Sequence, residues 1–303
     1  MKKIKYLIFV VFCFVFTNLV KAQQMPFYTQ WMFNEYLINP GVAGTFNAFQ
    51  IRANSRIQWM GITDAPRTMG ISAYGPLKKL PMGYGGYIYN DITGPESRLT
   101  LGGSYAYNYQ ISDLMHISAG LSVGLVQYTL DGTKIYMGEE EDNIDPAFTG
   151  SKETAYAPDA TLGIYVYSTR YFAGISAHQL LGSKLNGLTE MEIGVNRLTQ
   201  HYYLVGGYTF ILNREFSLTP SLLFKYMTPG QYQIEINAKT TYKRVAWFGL
   251  TYRNPFDACI MGGYVYENKY YIGLSYDIVN SELGKYTSGT IEIMLGVRFD
   301  NIK

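Results

Sequence analysis

The stretch His116–Leu130, HISAGLSVGLVQYTL, alternates between two kinds of residue. Ile117, Ala119, Leu121, Val123 and Leu125 are apolar, and Ser118, Gly120, Ser122 and Gly124 between them are small or polar. Successive side chains of a strand point to opposite faces, so a period of two sorts this segment into an apolar face and a polar one. Gln231–Lys243 divides in the same way: Tyr232, Ile234, Ile236, Ala238 and Tyr242 fall on one side, and Gln231, Gln233, Glu235, Asn237, Lys239 and Lys243 on the other. Near the carboxy end, Ile291, Ile293, Leu295, Val297 and Phe299 oppose Glu292, Met294, Gly296 and Arg298.

Working outward from these segments, the pattern predicts strands at 48–58, 66–76, 83–91, 97–111, 114–130, 156–168, 170–178, 200–212, 215–227, 231–242, 245–252, 258–267, 269–278 and 289–300, an even count of fourteen. The connections alternate in length. Short ones fall at Leu77-Lys78-Lys79, Ser112-Asp113, Ser168-Thr169-Arg170, Asn213-Arg214, Lys243-Arg244 and Glu267-Asn268, and the opposite set includes the long stretches 131–155, 179–199 and 279–288. Short periplasmic turns and longer external loops are the asymmetry of outer-membrane barrels, and an even count places the two ends of the sheet on one side. A sheet in hydrocarbon has no water to satisfy an open edge, so it must close on itself. The apolar set then faces lipid and the polar set faces the lumen. A soluble β-sandwich uses the same alternation with its apolar face inward, and periodicity alone does not separate the two.

The amino-terminal residues favour the membrane reading. Lys2, Lys3 and Lys5 precede an apolar run from Tyr6 to Phe16, and Val20-Lys21-Ala22 resembles a small-residue cleavage site, so residues 1–22 read as an export signal. Cys13 lies inside the apolar run, which is not the position of a lipid-attachment cysteine. Removing the signal leaves 21 Lys and Arg against 23 Asp and Glu, a net charge of −2, which disfavours a nucleic-acid partner. Cys259 then stands alone, so no intrachain disulfide is expected. The chain carries 29 Tyr, 16 Phe and 3 Trp, and tyrosine suits positions where one end of a side chain is apolar and the other wet.

Chemistry-bearing motifs are sparse. Ser176 and His178 share one face of a predicted strand, but no carboxylate or nucleophile elbow accompanies them. His116, His178 and His201 lack the spacing of a zinc site. The acidic run Gly138–Pro146 lacks the ordered ligand spacing of a calcium loop and reads as a solvated external loop. Gly83-Tyr84-Gly85-Gly86 has neither the Lys-Ser/Thr ending nor the following helix of a phosphate loop. Glu235, Lys239 and Lys243 are predicted to line the interior as a polar network or channel surface. The expectation is a non-enzyme without cofactor or metal.

The segment QMPFYTQWMFNEYLINPGVAGT, then RIQWMGITDAPRT, then a Tyr- and Gly-rich β chain ending LSYDIVNSELGKYTSGTIEIMLGVRF, resembles the PorP/SprF family of the Bacteroidetes type IX secretion system over essentially the whole mature chain. The resemblance is carried by Gln30, Trp31, Met32-Phe33-Asn34, Asn39-Pro40 with Ala43-Gly44, Arg56, Gln58-Trp59 and Ala65-Pro66 with Thr68, and near the end by Tyr276-Asp277, Ser281, Leu283, Gly289 and Glu292. Glu35 and Gly41-Val42 depart from the pattern, where members commonly carry a proline and an Ala-Tyr pair. The resemblance implies an outer-membrane barrel without enzymatic activity that works with the secretion machinery and serves a large secreted or surface-anchored protein, with links to gliding motility. The alternative architecture-level reading is a passive channel or a transporter of hydrophobic substrates.

The expected organisation is a signal at 1–22, an amino-terminal segment at 23–47 and an all-β antiparallel barrel of about fourteen strands at 48–303, with both termini periplasmic and the wall in contact with outer-membrane lipid. The segment at 23–47 is expected to plug the lumen, to present Trp31, Phe33 and Tyr36 to a periplasmic partner, or to pack as a cap, with Asn39-Pro40-Gly41 supplying its turn.

Overall fold

The computed structural model describes residues 25–134, 151–185, 197–254 and 257–300. The signal at 1–22, the acidic run Gly138–Pro146 and Lys303 lie outside the described residues. The strands are β1 (Ala48–Ile57), β2 (Arg67–Pro76), β3 (Met82–Thr93), β4 (Glu96–Ser112), β5 (Met115–Asp131), β6 (Lys152–Tyr167), β7 (Tyr171–His178), β8 (His201–Tyr208), β9 (Phe210–Ile211), β10 (Phe216–Met227), β11 (Gln231–Tyr242), β12 (Ala246–Arg253), β13 (Asp257–Tyr266), β14 (Tyr270–Ile278) and β15 (Thr290–Asp300). They form a single antiparallel sheet in which β15 pairs with β1, from Ala48 opposite Asp300 to Ile57 opposite Ile291. The expected strand at 200–212 is divided at Thr209, and β8 and β9 run along β10 in one register. The result is a closed fourteen-strand barrel with one short extra strand.

The two faces of the wall separate as the alternation predicts. Leu121 and Val123 are 50% and 61% exposed on the outside, whereas Ser118 and Ser122 are buried in the lumen. On β1 the inward set is Gln50, Arg52, Asn54 and Arg56, all buried. A water-soluble sandwich buries its apolar face; here the apolar face is outermost and the polar one is enclosed. Among the described residues no helix is long and apolar enough to cross a membrane. Exposed aromatics gather near both ends of the wall: Tyr84, Tyr107, Tyr109, Tyr242, Tyr266, Tyr270 and Phe299 at one, and Tyr156, Tyr232, Tyr252 and Tyr276 at the other. These positions suit the two membrane interfaces.

The connections differ by end. At the end where β1 begins and β15 finishes they are short, and both Lys243-Arg244 and Glu267-Asn268 adopt positive φ, the mirror-type turn whose twist matches the flanking strands. Lys243 therefore departs from its expected place in the lumen. It is a turn residue, exposed and paired with Glu215 at 2.9 Å, and the hydrogen bond to that carboxylate holds its ammonium above the ordinary lysine range. The opposite end carries the connections 132–151, 179–200 and 279–289.

Residues 25–47 lie within the barrel. They form three short 3-10 turns, Trp31–Phe33, Glu35–Leu37 and Pro40–Val42. Pro40 opens the last of these, a position where its missing N–H costs nothing, and the Asn39 side chain accepts from the Gly41 N–H at 2.9 Å to cap it. Parity places the start of β1 and the end of β15 at one end of the barrel. The first described residue, Met25, lines a cavity in the lumen with Tyr89, Ser122, Asp159, Thr161 and His178. Strand parity counts only the wall, and this segment runs through the lumen.

Candidate functional site

The segment reaches around the circumference of the lumen, and its contacts form three groups. The first is ionic. The Thr29 N–H donates to Glu292 Oε2 at 2.7 Å and its hydroxyl to Asp277 Oδ2 at 2.8 Å. Gln30 donates its N–H to Glu292 Oε1 at 3.2 Å and its side-chain amide to the Glu292 carbonyl at 3.2 Å. Trp31 Nε1 donates to Glu235 Oε1 at 2.5 Å. Arg56 bridges Asp277 at 2.7 Å and Glu292 at 3.4 Å, and Arg253 bridges Glu235 at 2.9 Å and Asp277 at 3.3 Å. Both guanidiniums also donate to the Thr29 hydroxyl, at 2.7 and 3.2 Å. All five charged side chains are 4% exposed or less, so each depends on the others for neutralisation. The Phe27 ring lies 4.0 Å below the Arg253 guanidinium, a cation–π contact.

The second group fixes the middle of the segment. Asn34 donates to Asn54 at 3.1 Å and accepts from the Ser72 hydroxyl at 2.9 Å. Phe33 packs on Trp247 with ring centroids 4.1 Å apart, and Tyr36 stacks on Tyr74 at 4.6 Å. The Tyr165 hydroxyl donates to the Glu35 carboxylate. Trp31 and Tyr36, each 2% exposed, are turned into this interior and away from solvent.

In the third group, side chains meet backbone carbonyls, and glycines let the segment approach the wall closely. Asn39 donates to the carbonyls of Ile164 and Ile175 at 2.9 and 3.2 Å, and Asn108 donates to the Ala43 carbonyl at 3.2 Å. A side chain at Gly120 would run into the Pro40 and Gly41 backbone, and one at Gly163 into the Asn39 side chain. Those two glycines leave the room in which the segment seats. Ser176 and His178 are brought together, and both address the Ile38 carbonyl, the serine donating at 2.6 Å and His178 Nε2 lying at 2.5 Å. They anchor the segment.

The family-pattern residues thus fall into two places. Gln30, Trp31, Phe33, Asn34, Asn39, Pro40, Ala43, Gly44 and Arg56 meet in the lumen. Gln58, Trp59, Ala65 and Pro66 lie in the β1–β2 connection at the long-connection end, where Gln58 N–H donates to the Pro66 carbonyl at 2.9 Å and Trp59 N–H to Thr290 Oγ1 at 3.1 Å. Met60 N–H donates to the Gly289 carbonyl at 2.8 Å, so this connection is stitched to the one before β15. Sequence reasoning missed Thr29 and Arg253. For Arg253 the available signal was a cation closing the alternating strand AWFGLTYR. Among the described residues no group of His, Cys, Asp and Glu is arranged to hold a metal ion; the three carboxylates here are bridged by the two arginines.

Among solved structures the chain is similar to the CymD monoaromatic hydrocarbon channel, with 12% identity over 91% of this chain and 94% of that one at a TM-score of 0.50. It is also similar to the Pseudomonas putida toluene transporter TodX, with 10% identity over 88% and 94% at 0.49, and to the translocator domain of the autotransporter NalP from Neisseria meningitidis, with 9% over 90% and 95% at 0.46. At these identities the likeness speaks to the fold, and only the first reaches a level that bears on it. No curated protein matches the sequence. The family profile described as type IX secretion system membrane protein PorP/SprF matches residues 20–297, nearly the whole chain. The family and fold are those of a membrane secretion component or channel, with no known enzyme class among them. The chain belongs to the PorP/SprF family of type IX secretion system membrane proteins.

Proposed function

We propose that this protein works in the outer membrane as a type IX secretion component that assists the export or cell-surface anchoring of a large partner protein, such as a gliding-motility adhesin. The observation that carries the reading is the filled lumen. Residues 25–47 touch opposite walls and are held by five buried charges, so among the described residues the segment stands across the lumen that a solute would have to pass. A passive channel or hydrophobic-substrate transporter is the competing role for the same architecture, and it requires a route the segment occupies. The functional surface is then the outside of a closed barrel and the connections at its rims.

Two measurements on the intact protein separate these roles. Reconstituted into liposomes, it is expected to pass small sugars and amino acids no faster than protein-free vesicles do. Purified from native membranes, it is expected to bring down type IX machinery subunits and one large surface protein, identified by mass spectrometry. Fast solute flux with no secretion subunit in the purified complex would overturn the proposal in favour of a transporter.

A further inference from the structure

The amino-terminal segment has a direction within the barrel. Phe27 packs among Arg56, Lys225 and Arg253, with the cations 5.5, 5.9 and 4.0 Å from its ring. Arg56 is next to the last residue of β1, Arg253 is the last of β12, and Lys225 is two residues from the end of β10. Thr29 meets Asp277, one residue from the end of β14, and Glu292, the third residue of β15. All five positions belong to the end of the wall that carries the long connections. The middle of the segment, at Asn34, lies against Asn54 and Ser72 in the middle of β1 and β2. Ala43 and Gly44 lie against Asn108 and Gly83, close to the short turns, and the chain then enters β1 at Ala48, opposite Asp300.

We infer that the polypeptide crosses the outer membrane one extra time through its own lumen, so that its amino-terminal side is presented at the cell surface while Asp300 faces the periplasm. The long connections mark the external end of a bacterial barrel and the short turns the periplasmic end. The segment runs from the first to the second. Its amino-terminal anchor is densely hydrogen-bonded: Thr29 and Gln30 meet Glu292, Asp277, Arg56 and Arg253, and those buried groups lose hydrogen-bond partners if the segment leaves. The surface end of this chain is therefore held, and it shares a rim with the stitched connections at 58–66 and 287–290. The inference needs the outer-membrane placement and the lumenal segment, but not the partner role proposed above.

Two sites in intact cells test it. An epitope inserted between Gln24 and Met25, after the predicted cleavage site, is expected to be reached by antibody and by added protease without permeabilisation. Asp300→Cys is expected to react with a membrane-impermeant maleimide only after lysis, and Cys259, 1% exposed, contributes little background. A single cysteine inserted between Gln24 and Met25 and labelled with the same maleimide carries the same reading with little added mass, so failure of the tagged protein to reach the membrane leaves the test standing. In each case, heat-modifiable mobility on a gel reports that the barrel has formed. An amino-terminal site reached only after lysis would overturn the inference, as would Asp300→Cys labelling in intact cells. Because neither readout involves the secretion machinery, loss of the partner role would leave this result unchanged.

Discussion

Arg56→Met is expected to lower the stability of the folded barrel by about 3–5 kcal/mol, the cost typical of breaking a buried ion pair from one side. Arg56 holds Asp277 and Glu292, both 2% exposed or less, and donates to the Thr29 hydroxyl that Asp277 also uses. A methionine fills a similar volume, so packing is largely kept. Two carboxylates, however, lose their nearest positive charge in a place water does not reach. The measurement is the urea midpoint of the detergent-solubilised protein, followed by heat-modifiable mobility. Adding Asp277→Asn to Arg56→Met is expected to restore part of the loss, because it removes one of the stranded charges. An unchanged midpoint for Arg56→Met would mean that the network is solvated and does not hold the segment.

The wall gives the second large effect. Leu121→Arg is expected to cost about 2–4 kcal/mol, the penalty for a cation on the lipid face near the bilayer midplane. Leu121 is half exposed in the middle of β5, on the outward face. Gln127 lies on the same face six residues nearer the long-connection end, where a charge approaches headgroups and water, so Gln127→Arg is expected to cost no more than about 1 kcal/mol. Folding into liposomes over a urea series measures both. Equal penalties at the two depths would remove the membrane placement of this strand. Ser122 is no mild control, since it is buried against Tyr87 and Gly103 in a lumen already filled.

Much of the wall was legible because lipid imposes a strict rule on alternate residues. Where that rule lapses, the reading weakened. β6 begins at Lys152 and not at 156, and its first residues, Lys152-Glu153-Thr154-Ala155, show no apolar alternation. The division at Thr209 left no mark because β8 and β9 keep one register along β10. The network around Thr29 was hidden for another reason. Its partners stand 263 positions away at Glu292 and 248 away at Asp277, and no local pattern reports which polar lumen residues will meet. Lys243 was misplaced because alternation was carried one residue past the strand, into a turn.

Glu292 has a consequence for assembly. It lies on β15, the strand that seals against β1, and its side chain also receives the backbone of Thr29 and Gln30 and the guanidinium of Arg56. The segment joins β1 directly, so seam and filling share one residue and one stretch of chain. The first and last strands pair only once the whole polypeptide is present, so this is among the most sequence-distant contacts the fold has to make. A chain that ends early therefore loses its seam and its anchor together. Such a product is an open sheet that lipid cannot accept, and not a leaking tube, so incomplete synthesis poses little threat to the permeability barrier.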